Sequence, residues 1–339
     1  MQAVIIAGGL GTRLRPLTFK RPKALVPLLN RPQVLHILDR LPKEVDEVFV
    51  AVNYMYDRVR QFFRETDLGR SVEVIEEKEP LGTAGAVKNV GSRLDGTFAV
   101  YNGDVVDSLD FSALLAFHRK RRGLATIALF EVEDPSPFGV VEMDDGRVNR
   151  FVEKPTKGEA PSRLVSAGRY LFEPEVLDRI PAARAVSMER EVFPALAGKD
   201  LFGFPFTGYW SDAGTLESYL RAASILLAHG GAGVDPAADT SRASIEPPVL
   251  IPESCSVAGR VGPNVVFGGG CRIEDAVVDN STLFDRAQVE SRASVTDSII
   301  GAGSVIGRGA TVEASIIADG ERVGEGKRVL GYQGQRSAA

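Results

Sequence analysis

The chain has 339 residues, 44% apolar and 25% charged, with a formal net charge of −5. At roughly 100–200 residues per domain this length favours two domains. The acidic balance counts against a general nucleic-acid binder. No apolar run reaches the ~18 residues of a membrane span, and no basic leader precedes the first apolar run. Cys255 and Cys271, the two cysteines, cannot build a zinc cage or a disulfide framework, so a cytoplasmic protein that binds neither nucleic acid nor membrane is expected.

Residues 1–230 alternate strand and helix patterns. Gln2–Ala7 is an apolar strand ending in Gly8-Gly9, and Val34, Leu35, Leu38 and Leu41 recur at helical spacing. Val48–Val52, Val72–Ile75 and Phe98–Tyr101 read as strands, and Tyr54–Glu65 and Ala84–Leu94 as helices. Phe111–Arg122 is a helix with Asp110 placed to cap it and Gly123 to end it. This alternation predicts a Rossmann-like α/β fold, a mixed, mostly parallel sheet flanked by helices. Denser strands from Leu124 to Phe206 predict an antiparallel extension. Thr215–His229 reads as one more helix, and 231–243 as a linker after a glycine hinge at Gly230–Gly233.

From 244 to 332 helical periodicity disappears. Aliphatic residues step by six: Ile245, Ile251, Val257; Val261, Phe267, Ile273; Val289, Val295; Ile300, Ile306, Val312. The phase slips by four at Val261 and by five at Ile300. Hexapeptide repeats with small residues at corners predict a left-handed parallel β-helix. With an inward aliphatic ladder and open ends, the coil is expected to assemble a homo-oligomer and not to form a second active site.

The sharpest local signal is Gly8-Gly9-Leu10-Gly11-Thr12-Arg13-Leu14-Arg15-Pro16, directly after the first strand. A glycine turn there lets backbone N–H groups approach phosphate oxygens. It is neither a dinucleotide fingerprint, which needs a third glycine at Leu14, nor a P-loop, which needs Gly-Lys-Ser/Thr. Arg13, Arg15, Lys20, Arg21 and Lys23 follow with no acid among them. Such a run is either a solvated basic face or a triphosphate cradle.

Gly8–Thr18 with Lys23 resembles the signature of the sugar-1-phosphate nucleotidylyltransferases, also called NDP-sugar pyrophosphorylases. The resemblance continues in order at Asn102-Gly103-Asp104, Phe151–Pro155, Ser166-Ala167-Gly168 and Gly208–Gly214. It covers about residues 1–225, and the hexad domain recurs in several branches of the family. Glu79–Gly85, Val132–Val141 and Met188–Pro194 look most like the mannose-1-phosphate guanylyltransferase branch. The thymidylyltransferases usually carry glutamines near the first loop and the base, where Leu25 and Leu81 stand here. Thymidylyl, uridylyl or adenylyl transfer to glucose-1-phosphate is the alternative.

The resemblance implies that a nucleoside triphosphate and a sugar-1-phosphate give an NDP-sugar and pyrophosphate, with GTP and mannose-1-phosphate the favoured pair. An anionic phosphate oxygen attacks, so no general base is required, and catalysis is positioning plus charge neutralisation. By the same resemblance Ala7, Gly8, Gly9, Gly11, Thr12, Arg13, Lys23, Gly82, Thr83, Ala84, Asn102 and Asp104 meet the nucleotide. Gly139, Glu153, Lys154, Ser166, Ala167 and Gly168 meet the sugar phosphate. Asp104 and Asp212 hold Mg²⁺, and Arg13, Lys23, Asp104, Lys154 and Asp212 carry the chemistry. Pro155 is expected to hold Lys154 extended. Arg119–Arg122 reads as a solvated helix end, and His36 and His118 as surface or packing residues. Trp210 fits a ligand platform or a core anchor equally. Two other classes fit the sequence less well: an acyltransferase, which commonly needs a histidine base that residues 244–339 lack, and a non-catalytic sugar-nucleotide-binding regulatory homologue, which would have lost site residues kept here.

Overall fold

The computed structural model describes residues 1–182 and 184–332. The chain forms two compact units. One comprises Met1–Gly9 and His36–Trp210; the other comprises Leu10–Leu35 and the chain from Ser211 onward.

The first unit is built on a nine-stranded sheet. Its strands are β1 (Gln2–Ile6), β2 (Glu47–Val52), β3 (Ser71–Glu76), β4 (Phe98–Asn102), β5 (Ala125–Glu131), β6 (Gly139–Asp144), β7 (Arg147–Glu153), β8 (Leu164–Phe172) and β9 (Leu201–Pro205). Their spatial order is β3-β2-β1-β4-β8-β5-β9-β7-β6. β1 to β4 run parallel, β8 enters antiparallel to β4 and β5, and β9 runs parallel to β5. β6 and β7 form an antiparallel pair. Val48 to Val52 are all buried, as a strand covered on both faces must be.

The helices follow the same logic. α1 spans Gln33–Arg40, α2 Tyr56–Glu65, α3 Gly82–Val90 and α4 Phe111–Arg121. α3 packs on β1 and β2, and Ala84, Val87 and Val90 join a core with Val4, Phe49, Phe98 and Phe172. Asp110 caps α4 by accepting from the amides of Ser112 and Ala113. The helix ends one residue earlier than Gly123, because Arg122 itself takes the left-handed conformation (φ 54°) and donates its amide to the His118 carbonyl. His118 is a core residue, hydrogen-bonded to Thr126 at 2.8 Å and Glu173 at 3.0 Å. Burial holds its imidazole below the ordinary value.

The second unit contains α5 (Leu216–Leu226), started by a capping box between Thr215 and Ser218, and a parallel β-helix. All eleven hexad positions join the coil's core, Ile245 partly exposed at its edge. The register explains the phase slips. Val261, Val278, Val295 and Val312 stack seventeen positions apart, and Val257, Ile273 and Val289 sixteen apart. One side of each coil is therefore shorter than six residues. The stretch 231–243 carries strands: Gly233–Val234 pairs with Leu250–Ile251, and Asp239–Ile245 pairs with the segment from Ser256 to Val261.

Candidate active site

In the first unit the chain passes from β1 to β2 and β3 on one side, while β4 lies on the other. β1 and β4 thus flank a topological switch point, where open α/β sheets bind ligands beyond the strands' carboxyl ends. Ile6 pairs with Asn102, and the Gly103 amide donates to the Ile6 carbonyl at 2.9 Å. Ala7-Gly8-Gly9 and Asn102-Gly103-Asp104 therefore leave adjacent strands at one edge. Arg169 fixes the second of these segments. It is buried, and its guanidinium donates to Asp107 (2.8 Å) and to the carbonyls of Asn102 (3.0 Å) and Val105 (2.7 Å). Asp104 lies inside the backbone that Arg169 spans. Sequence reasoning stopped at Ser166-Ala167-Gly168 and missed the residue that follows.

Glu77 was also missed. It is buried, its Oε1 has no hydrogen-bond partner, and a Cβ on Gly8 would lie 2.9 Å from that atom. A side chain at Gly8 would press on this carboxylate and on the Asn53 amide, 3.3 Å away. Burial pushes the Glu77 carboxyl above its ordinary value.

The loop before α3 is tied to a segment far along the chain. The Thr83 hydroxyl donates to Glu189 and accepts from the Met188 amide, both at 2.8 Å. The Ala84 amide donates to Val186 and the Val186 amide to Leu81. Gly82 has φ 71° with the Val186 carbonyl where a Cβ would stand, so no other residue fits. Two motifs read separately in the sequence are thus one structure.

Glu153 ends β7 opposite Gly139, and a Cβ on Gly139 would lie 3.0 Å from its Oε2. Burial, then the neighbouring charge of Glu189, raise the Glu153 carboxyl above its usual value. Lys154 is exposed, 3.7 Å from Glu153. Its backbone is not extended as Pro155 suggested. It takes φ 50°, with its amide donating to the Phe138 carbonyl at 2.9 Å. This bond turns the chain out of the strand and outweighs the local preference. Gly168 (φ 71°) packs directly on Asn102, and Ser166 shares a 3.3 Å hydrogen bond with Tyr170. Trp210 is a buried anchor: its indole donates to the Ala167 carbonyl at 3.0 Å and its ring meets Phe138 edge-on.

In the second unit the glycine loop continues as three single turns at Thr12–Leu14, Leu17–Phe19 and Lys23–Leu25. Thr18 staples them by donating to the Gly11 carbonyl at 2.8 Å. Arg13, Lys23 and Asp212 converge at Gly214. A Cβ there would lie 2.7 Å from the Asp212 Oδ2, 3.0 Å from the Arg13 guanidinium and 3.2 Å from the Lys23 ammonium. The other cations of the run go elsewhere. Arg15 covers the Phe19 ring, Arg21 pairs with Asp319, and Lys20 donates to the Asp319 carbonyl.

Among the described residues no group of three or more His, Cys, Asp or Glu side chains could hold a metal ion. Asp104 and Asp212 each offer a single carboxylate, a hard oxygen ligand of the kind a divalent cation takes when phosphate and water fill its remaining positions. Among the described residues, no helix is long and apolar enough to cross a membrane.

A β1–glycine loop and an aspartate at the switch point define a nucleotide-handling α/β enzyme class. The nucleotidyl transferase family profile matches residues 2–229, and the chain belongs to that family. The GMPPB C-terminal domain profile matches residues 241–332. Among curated proteins the chain is 38% identical to the probable mannose-1-phosphate guanylyltransferase 1 of Oryza sativa over 88% of this chain and 85% of that protein. It is 36% identical to the mannose-1-phosphate guanylyltransferase of Mycobacterium tuberculosis over 86% of this chain and 82% of that protein. Among solved structures it is similar to a putative glucose-1-phosphate thymidylyltransferase from Bacillus anthracis (TM-score 0.60, 25% identity, 66% of this chain and 94% of that one). It is also similar to HddC from Yersinia pseudotuberculosis complexed with GMP-PN (TM-score 0.56, 28% identity, 66% and 99%).

Proposed function

We propose that this protein transfers the guanylyl group of GTP to mannose-1-phosphate, giving GDP-mannose and pyrophosphate. The observation that carries this reading is similarity along both the catalytic segment and the coil to proteins named mannose-1-phosphate guanylyltransferases.

A phosphate oxygen of the sugar phosphate forms a bond to the α-phosphorus, and the bond to the β-phosphate bridge breaks, releasing pyrophosphate. The nucleophile is already anionic, so the protein's task is to bring two anions together. Arg13 and Lys23 neutralise the triphosphate, with Ala7, Gly8, Gly9, Gly11 and Thr12 supplying the loop. Gly82, Thr83, Ala84 and Asn102 receive the nucleoside. Lys154 neutralises the sugar's phosphate. Glu153 accepts from sugar hydroxyls while Gly139, Ser166, Ala167 and Gly168 shape the path. Asp104 and Asp212 would hold Mg²⁺, which would stabilise the charge developing on the phosphoryl oxygens. Residues 1–230 are the catalytic segment, 244–332 the coil, and 231–243 the passage between them. The protein works in the cytoplasm as a homo-oligomer assembled through the coil.

The test is pyrophosphate release from GTP and mannose-1-phosphate in Mg²⁺. Turnover that needs both substrates and stops with chelator supports the reading. No turnover with any triphosphate and sugar-1-phosphate favours the regulatory homologue. Likeness to the thymidylyltransferase fold keeps dTTP with glucose-1-phosphate as the second pair to assay.

A further inference from the structure

The signature loop lies on the coil. Asn30 donates to the Phe267 carbonyl at 2.7 Å. The Arg21 guanidinium covers the Phe284 ring at 5.2 Å and pairs with the Asp319 carboxylate, with both side chains mostly buried. The other Asp319 oxygen accepts from the Ala302 amide at 2.8 Å, which fixes the carboxylate on the coil wall. Lys20 adds a 3.3 Å bond to the Asp319 carbonyl. Phe267, Leu283, Ile300 and Ile317 stack in register, so the loop's partners Phe267, Phe284 and Asp319 lie on the first, second and fourth of four successive coils.

We infer that the coil is a positioning element for the triphosphate loop, and that Arg21 and Asp319 are the latch. Arg21 is separated from Lys23 only by Pro22, whose ring fixes one backbone angle. The loop is closed on itself, with the Lys23 Cβ 3.2 Å from where a Gly11 Cβ would stand. An anchor at Arg21 therefore limits where the Lys23 ammonium can go. A guanidinium held by a carboxylate and an aromatic face is well suited to such an anchor. Arg21 and Asp319 are positioning residues; neither is assigned a contact with substrate. The kinetic part of this inference rests on the reading of Arg13 and Lys23 as triphosphate ligands.

The test uses the full chain with Asp319→Ala, Arg21→Met and both together. Arg21→Met leaves the coil's own Asp319 to Ala302 bond in place, so it separates loop anchoring from damage to the coil. Each single variant is expected to raise KM for the nucleoside triphosphate roughly tenfold, the scale of one lost charge-assisted hydrogen bond. KM for the sugar phosphate stays unchanged. The double variant is no worse than either single, because the two residues act as one unit. Hydrogen exchange of amides in 10–26 speeds up in each variant without substrate, and this readout stands even if the protein transfers nothing. Unchanged exchange in Arg21→Met overturns the latch. Faster exchange with unaltered triphosphate KM, equal rises in both KM values, or additive losses overturn the positioning role.

Discussion

Arg169 and Asp107 form a buried ion pair, Nε to Oδ2 at 2.8 Å, beneath the backbone that carries Asp104. The remaining guanidinium donors hold the carbonyls on either side of that aspartate. Breaking such a pair from one side leaves a buried charge and costs about 3–5 kcal/mol. Arg169→Met is expected to lower the melting temperature and to reduce kcat by roughly ten- to a hundredfold through a displaced Asp104. Adding Asp107→Asn should recover part of the stability but not the turnover. Calorimetry and pyrophosphate release on the single and double variants check both halves of this statement.

Asp104→Asn and Asp212→Asn should each lower turnover by roughly two orders of magnitude or more, the usual cost of one preorganised electrostatic group. Melting temperatures should change little. A magnesium titration checks the assignment: near wild-type rates for either variant across the titration would remove that carboxylate from the metal role.

Gly214→Ala places a methyl group 3.0 Å from the Arg13 guanidinium and 2.7 Å from Asp212. Both must move. KM for the triphosphate should rise roughly tenfold or more, since a small misplacement at a charged site costs that much. KM for the sugar phosphate should not follow. Steady-state kinetics with each substrate varied in turn decides it.

Glu77 gives a pH prediction. Its carboxyl is raised in the folded protein because burial penalises the charged form. The folded state therefore binds this proton more tightly than the unfolded chain does. The group favours folding at pH below its ordinary value, and that contribution is lost as pH rises through the raised value. Glu77→Gln should raise the melting temperature at neutral pH, with the gain shrinking as pH falls toward 4.5. A gain that is constant with pH would show that Glu77 does not titrate in this way.

The motifs of the candidate site were legible because they are local. The glycine turn, Asn102-Gly103-Asp104 and the hexad ladder each show in a few adjacent residues. The Asp110 cap was equally local. What the sequence hid depends on distant partners. Arg169 reads as an ordinary strand residue until β8 lies beside β4. Arg21 reads as one more cation in a basic run, and its partner stands 298 positions away. Lys154 and Arg122 adopt left-handed backbone because neighbouring carbonyls hold them there, against what Pro155 and Gly123 suggested. The coil's uneven sides appeared in the sequence only as phase slips, which the register resolves.

The most direct test of the account is a competition in one vessel. Equal concentrations of GTP and dTTP are offered with equal concentrations of mannose-1-phosphate and glucose-1-phosphate in Mg²⁺, and the sugar nucleotides formed are identified by mass. The account predicts GDP-mannose as the main product, with pyrophosphate in equal amount. dTDP-glucose formed as fast or faster, or no sugar nucleotide at all, would contradict it.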